Sequence, residues 1–164
     1  MLVGCALILD GTAVSAQVLM SRSLGMLKKV KSLISYMFRF AFAQGIATTG
    51  LLLATGPILP GIFTTDTLVR HHLHSLMPQL AWQQLLVSLT LVTESLAIGG
   101  NQFKLLAVGT TLSTILAMWQ LKQATSVVGI WANGLVALFA GRLITALIGV
   151  ARVLRAEYAK DKKP

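Results

Sequence analysis

Acidic residues are what this chain most lacks. Asp and Glu together number 5 in 164 residues, against 14 Lys and Arg. Charged residues make up 12% of the sequence, while hydrophobic ones reach 55% and the mean hydropathy is +0.75. A soluble domain carries charge on roughly a quarter of its residues, so an ordinary water-soluble fold is excluded. The length by itself suggests one domain. Cysteine is nearly absent too: Cys5 stands alone, which rules out an intrachain disulfide or a cysteine zinc cluster. Its apolar neighbours lead us to expect a buried, inert thiol. No HExxH, GxSxG, Walker loop or glycine-rich dinucleotide turn is present, so no enzyme activity and no cofactor are expected. Despite a net charge of +9, the basic residues do not interleave with aromatics on a polar face. They fall at the ends of apolar runs, the pattern of a membrane protein with basic loops, and nucleic acid is not an expected partner.

The few charges divide the chain into five apolar stretches: Met1 to Ser21, Phe40 to Thr65, Ser75 to Ile98, Leu105 to Leu121 and Val127 to Val150. Phe40 to Thr65 has no charged residue and is long enough to span a bilayer, for which ~20 residues suffice. The first stretch has no basic start and carries Asp10 in its middle, so it reads as a retained helix and not a signal peptide. None of the stretches alternates every second residue as a barrel strand would. The expectation is an all-α polytopic membrane protein with five transmembrane helices over residues 1–151 and a basic inner-side tail over 152–164, the lipid bilayer being its first partner.

Punctuation supports these limits. Pro57 and Pro60 in "GPILPGIF" should stop the second span. Pro78 is expected in the first turn of the third, where its missing N–H costs little. The Gly99-Gly100 pair should close that helix through glycine's access to left-handed angles. Orientation follows from the basic residues. Arg22, Lys28, Lys29, Lys31 and Arg39 lie in one connection, and Arg152, Arg155, Lys160, Lys162 and Lys163 in the tail. Four helices separate these two groups, which puts both on one side together with Lys104. Eleven basic residues then lie inside, against Arg70 and Lys122 outside.

Polar residues recur at helical spacing inside three spans: Asp10, Gln17 and Ser21; Gln44, Thr48 and Thr55; Gln79, Gln83, Thr90 and Glu94. They could serve interhelical hydrogen bonding or line a hydrated path. Glu94 follows nineteen residues, Ser75 to Thr93, that hold no charge. Ionisable groups at membrane depth are rare and functional by default, and charge pairing is the usual way a bilayer tolerates a carboxylate. Glu94 therefore has two available partners, Arg142 on the last helix or water in a cavity along the Gln83–Thr90 stripe. Arg142 in turn could reach the inner headgroups. Gly129, Asn133, Ala137, Gly141, Thr145 and Gly149 recur every four residues and should form a packing ridge. The tract His71, His72 and His74 is expected in a wet outer connection and is not read as a metal site.

Four stretches carry a family resemblance. "LDGTAVSAQVLMSRSLG" (Leu9 to Gly25) resembles the small-residue signature helix of the multidrug and toxic compound extrusion (MATE) transporters. "LPGIFTTDTLV" (Leu59 to Val69) is similar to their Phe-Thr-x-Asp connection, and "ESLAIGGNQFKLLAVGT" to the glycine turn after the tenth helix. "GIWANGLVALFAGRLITALIGVARVLR" resembles the twelfth, and residues near Glu94 lean toward the DNA-damage-inducible-F-like branch with plastid members. The resemblance implies helices 8–12 of a twelve-helix, two-lobe antiporter. Such a protein exports organic solutes against protons or sodium ions, and a plastid membrane is one location the branch allows. The first lobe and seventh helix would then be missing partners, and residues 1–151 part of the C-terminal lobe. The alternative from another class is a small structural membrane protein that binds a partner through its glycine ridge and transports nothing.

Overall fold

The computed structural model describes residues 2–126 and 129–162. Met1, Val127 and Lys163, which belong to the expected spans and tail, and the Cys5 side chain lie outside the described residues. All regular structure among those described is helical: α1 (Leu2–Ser23), α2 (Leu27–Thr55), a short α3 (Leu59–Phe63), α4 (Thr67–Gly99) and α5 (Phe103–Gln123), then a π-helical turn (Ile130–Leu135) running into α6 (Val136–Asp161). Three helices are long and apolar enough to cross a membrane: Leu27–Thr55, Phe103–Gln123 and Asn133–Asp161. Only 28%, 22% and 22% of their most apolar stretches is buried within the bundle, so most of that apolar surface faces outward, as lipid requires and water would penalise. In α4 the polar residues Gln83, Gln84, Ser88, Thr90, Thr93 and Glu94 dilute the hydropathy.

Several sequence boundaries need correction. The basic segment from Lys28 to Arg39 is not a connection but the first half of α2. Nothing between Leu27 and Thr55 breaks a helix, and Val30, Ile34, Met37 and Ala41 recur at helical spacing and are buried, leaving Lys28, Lys29 and Lys31 on the exposed side. The second span ends at Thr55, ahead of Gly56-Pro57, and not at Thr65. α4 starts at Thr67, eight residues before the expected Ser75, because Asp66 caps it: Asp66 Oδ1 accepts the Leu68 and Val69 N–H groups at 2.8 and 3.4 Å. The histidine tract therefore lies on a helix and not in a loop. Pro78 falls in the helix interior and removes the ladder bond to the exposed His74 turn. The tail also stays helical, as far as Asp161.

Gly99 and Gly100 do end α4, but not through left-handed angles. Gly100 has φ −85°, and the positive φ of 61° belongs to Asn101. Their role is close approach. A Cβ on Gly99 would stand 2.5 Å from the Gln17 carbonyl oxygen of α1, and one on Gly100 would overlap Val153 of α6.

α4 is the centre of the bundle, with α1, α2 and α6 packed around it, while α5 packs chiefly on α6. Every residue from Val92 to Ala97 is buried. The core joins Met20 of α1, Val30 and Ala41 of α2, Leu96 of α4 and Val150 of α6. Backbone hydrogen bonds run across the α2–α4 seam from side chains, Ser88 Oγ to the Ala41 carbonyl at 2.8 Å and Thr49 Oγ1 to the Ala81 carbonyl at 2.9 Å. Where such bonds have been measured in membrane proteins, each contributes about 0.6 kcal/mol.

One end of the bundle gathers the α1–α2 turn, the α4–α5 turn and the end of α6. The contacts of Gly99 with α1 and of Gly100 with Val153 fix this arrangement. It collects most of the described basic residues that the charge count assigns to the inner side, though Arg39, twelve residues into α2, stands away from it. Glu157, beyond the apolar part of α6 that stops at Ala151, latches this end shut. Its carboxylate accepts the Gly25 N–H and the Lys160 ammonium, both at 2.7 Å, and it is 3% exposed. Lys31 adds a cation over the Tyr158 ring, 4.1 Å from its centroid. Lys160 bonding pulls the Glu157 pKa below its ordinary 4.5; burial opposes this and the Gly25 N–H adds to it. A carboxylate with a lowered folded pKa contributes stability that is complete above its unfolded value and disappears as pH falls through the folded one. Acidification below about 4.5 should therefore release the end of α6, read as faster amide exchange at Gly25 and faster proteolysis after Arg155. Glu157→Gln should show the same release at neutral pH, and an acid response retained in that variant would refute the latch.

Candidate functional site

The site grows from the polar residues of α4 that face α6. Gln83, Thr90 and Glu94 are spaced seven and four residues apart, so they line one side of the helix. All three are buried. Gln83 donates from Nε2 to the Trp131 carbonyl in the π turn at 2.8 Å. Thr90 donates from Oγ1 to the Leu86 carbonyl at 2.7 Å and lies 3.3 Å from the Phe139 carbonyl of α6. One turn further, Glu94 takes the guanidinium of Arg142 in a two-point contact, Nε to Oε1 at 2.7 Å and Nη2 to Oε2 at 2.6 Å. Of the two partners considered from sequence, Arg142 is the one on the carboxylate, and its guanidinium is turned to Glu94. Arg142 also lies 5.5 Å from the Phe139 ring centroid.

The parallel fork of this pair matches arginine to carboxylate and sets both side chains in orientation as well as in charge. The pair is not sealed. The side chains keep 24% and 11% exposure for Arg142 and Glu94, and both line an open groove of about 590 Å³ between α4, α5 and α6. Its other walls are apolar at Ile98, Leu106 and Ile115 and carry Thr110, Thr111 and Thr114. Thr111 and Thr114 donate to carbonyls of their own helix, at 2.9 and 2.8 Å, which leaves hydroxyl lone pairs as acceptors for the groove. The arrangement offers a solute an apolar wall, hydroxyl oxygens and an ion pair whose members can exchange partners.

The remaining polar residues do not join this site. Asp10 and Gln17 are exposed on α1. Thr48 of α2 donates to the Gln44 and Gly45 carbonyls at 2.9 and 3.1 Å, and the amide of Gln44 is buried without a hydrogen-bond partner among the described residues. The packing ridge is only partly as expected. Gly141 meets Ser113, Thr145 meets Gly109, and Gly149 lies against Ala97 and Gln102. Ala137 is half-buried, Gly129 has Ser126 and Ala124 near it among the described residues, and Asn133 is exposed. Gly134, seven residues before Gly141 and so on the same side of the helix, is the residue closed against Leu121 in place of Asn133. The Glu157 latch was missed from sequence, though a lone glutamate amid the basic residues of the tail was the available signal. Among the described residues no group of three or more His, Cys, Asp or Glu is placed to hold a metal ion.

Comparison of the chain with protein-family models, curated proteins and solved structures finds no match.

Removing one member of a paired, largely buried ion pair leaves an uncompensated charge, a loss of about 3–5 kcal/mol. Glu94→Gln and Arg142→Gln should each destabilise the chain by that order, and the double variant by clearly less than the sum. Reversible unfolding in mixed micelles reads the cycle; additive losses would show that the two residues act independently.

Proposed function

We propose that the chain is the portion corresponding to helices 8–12 of a MATE-like secondary antiporter, crossing the membrane five times. In this reading it exports organic or xenobiotic solutes in exchange for protons or sodium ions. The observation that carries the proposal is the Glu94–Arg142 pair at the wall of an open groove between apolar helices. An ionisable pair at such depth marks a solute or ion pathway more often than a packing device. Two further features support it. Asp10 and Gln17 are exposed on a helix of an otherwise apolar bundle, which suits a face built against a second lobe or an aqueous cavity better than one facing lipid. The inner-side basic end matches the orientation that helices 8 and 12 of such a transporter require. Alternating access would then rock this lobe against its counterpart around a central site.

The structural, partner-binding alternative loses its best surface. Gly141, Thr145 and Gly149 already pack on Ser113, Gly109 and Ala97 of the same chain, so that part of the ridge is not free to receive another protein. The chain is not expected to catalyse a reaction or to hold a resident cofactor.

Two measurements test the proposal. A cysteine at Ser32 or Lys162 should be labelled only from the inner side and one at Thr67 only from the outer side; labelling of positions 32 and 67 from one side overturns the five-span topology. The chain alone, purified in liposomes, should show no drug efflux. Fused behind the first seven helices of a MATE transporter it should restore proton- or sodium-linked export, and Glu94→Gln should abolish or strongly reduce it. Export by the solitary chain as a monomer, or a folded chimera without export, would count against the reading.

A further inference from the structure

A second groove, separate from the ion-pair site, lies at the inner end of the α5–α6 seam. It measures about 390 Å³ and is lined by Asn101, Gln102, Phe103, Lys104, Leu105 and Arg152. Two cations from different helices thus share one groove, and no acid lines it. The ion pairs among the described residues are Glu94–Arg142 and Glu157–Lys160, so neither Lys104 nor Arg152 is neutralised.

The seam itself shows what lies next to these cations. Gly149 lies against Leu105, Thr145 against Gly109 and Gly141 against Ser113, so numbering rises along α5 as it falls along α6 and the helices are antiparallel. In an antiparallel pair, the residue one position before each contact falls on the same side of the seam in both helices, because 100° of rotation in opposite axial senses brings them to one face. On α5 those positions are Lys104, Val108 and Leu112; on α6 they are Ile144 and Ile148, with Arg152 one turn beyond. Val108, Leu112, Ile144 and Ile148 are all exposed. The Glu94–Arg142 groove uses the opposite side, through Thr110, Thr114 and Arg142. A pair of apolar ridges therefore runs from the cationic groove toward the middle of the bundle.

We infer that this groove binds an anionic phospholipid, with its phosphate between Lys104 and Arg152 and its acyl chains along the Val108–Leu112 and Ile144–Ile148 ridges. A soluble anion would use the cations but not the ridges, and a neutral lipid the ridges but not the cations. The inference rests on the membrane reading above and not on the transport activity.

The test places the full chain in nanodiscs of phosphatidylcholine with a minor fraction of phosphatidylglycerol and counts co-retained lipids by native mass spectrometry. Phosphatidylglycerol should be enriched on the order of five-fold for each of the two cations. Lys104→Gln with Arg152→Gln should bring retention close to that of phosphatidylcholine, while Lys28→Gln with Lys29→Gln should leave most of the preference. Excess inorganic phosphate should not displace the lipid. A headgroup-photoreactive phosphatidylglycerol should cross-link the unsubstituted chain at residues 101–105 or 148–152, which keeps the test valid if the double variant folds poorly. Equal retention of the two lipids, a preference unchanged by the groove variant, displacement by phosphate, or cross-links confined elsewhere would each overturn the inference. Insertion into pure phosphatidylcholine discs separates the two readings: a chain that inserts without selectivity loses only the lipid site, and one that fails to insert loses both.

Discussion

The burial of α4 governs the rest of the structure. Its second half is enclosed by α1, α2 and α6, yet α4 carries Gln83, Ser88, Thr90, Thr93 and Glu94 at buried positions. Each of these groups needs a partner, since an unsatisfied polar group in an apolar setting is costly. The hydroxyls of Ser88 and Thr90 reach backbone carbonyls on neighbouring helices, and the amide of Gln83 reaches the π turn. A carboxylate cannot be answered by a carbonyl, which only accepts. Glu94 thus fixes where α6 must present a cation, and with it the rotation and height of α6 against α4. Once α6 is set, the glycine contacts position α5, and the ion pair is left at the edge of a groove and not in a sealed core.

The two ends of the molecule are held by different means. At the basic end one buried glutamate ties the α1–α2 turn to the end of α6, and lysine covers a tyrosine ring beside it. At the other end Asp66 caps α4, and the Arg70 guanidinium lies close against Gly61 in α3. Of the five acids in the chain, three are thus engaged in holding helices in place. The scarcity of acid leaves the basic end with a large uncompensated charge.

Much of this was legible in the sequence because the solvent is chosen by composition and the partners by charge. A single carboxylate after nineteen uncharged residues had few basic groups within reach, and Arg142 was the one on an apolar helix. Helix limits were less legible. Lysines in the first half of α2 read as a loop, but their stems and the buried Val30, Ile34 and Met37 suit a helix that emerges at the interface. The start of α4 was misplaced because histidines suggested a wet connection, while the single capping contact at Asp66 decided the matter. Asp10 and Gln44 shared the spacing of the Glu94 stripe but not its location, since spacing assigns residues to a face and cannot say which neighbour that face meets.

The π turn changes how the last helix must be numbered. An α-helix advances 100° per residue, so one residue inserted by the wider turn carries everything on its outer side around by about that angle relative to the inner part. Gly129 and the residues after Val136 therefore obey two separate phases. A periodic pattern traced through the turn, such as Gly129-Asn133-Ala137, joins positions that look in different directions. Loss of one residue from Ile130–Leu135 would merge the two phases and turn Gly129 by about 100° relative to Val136 and the helix that follows.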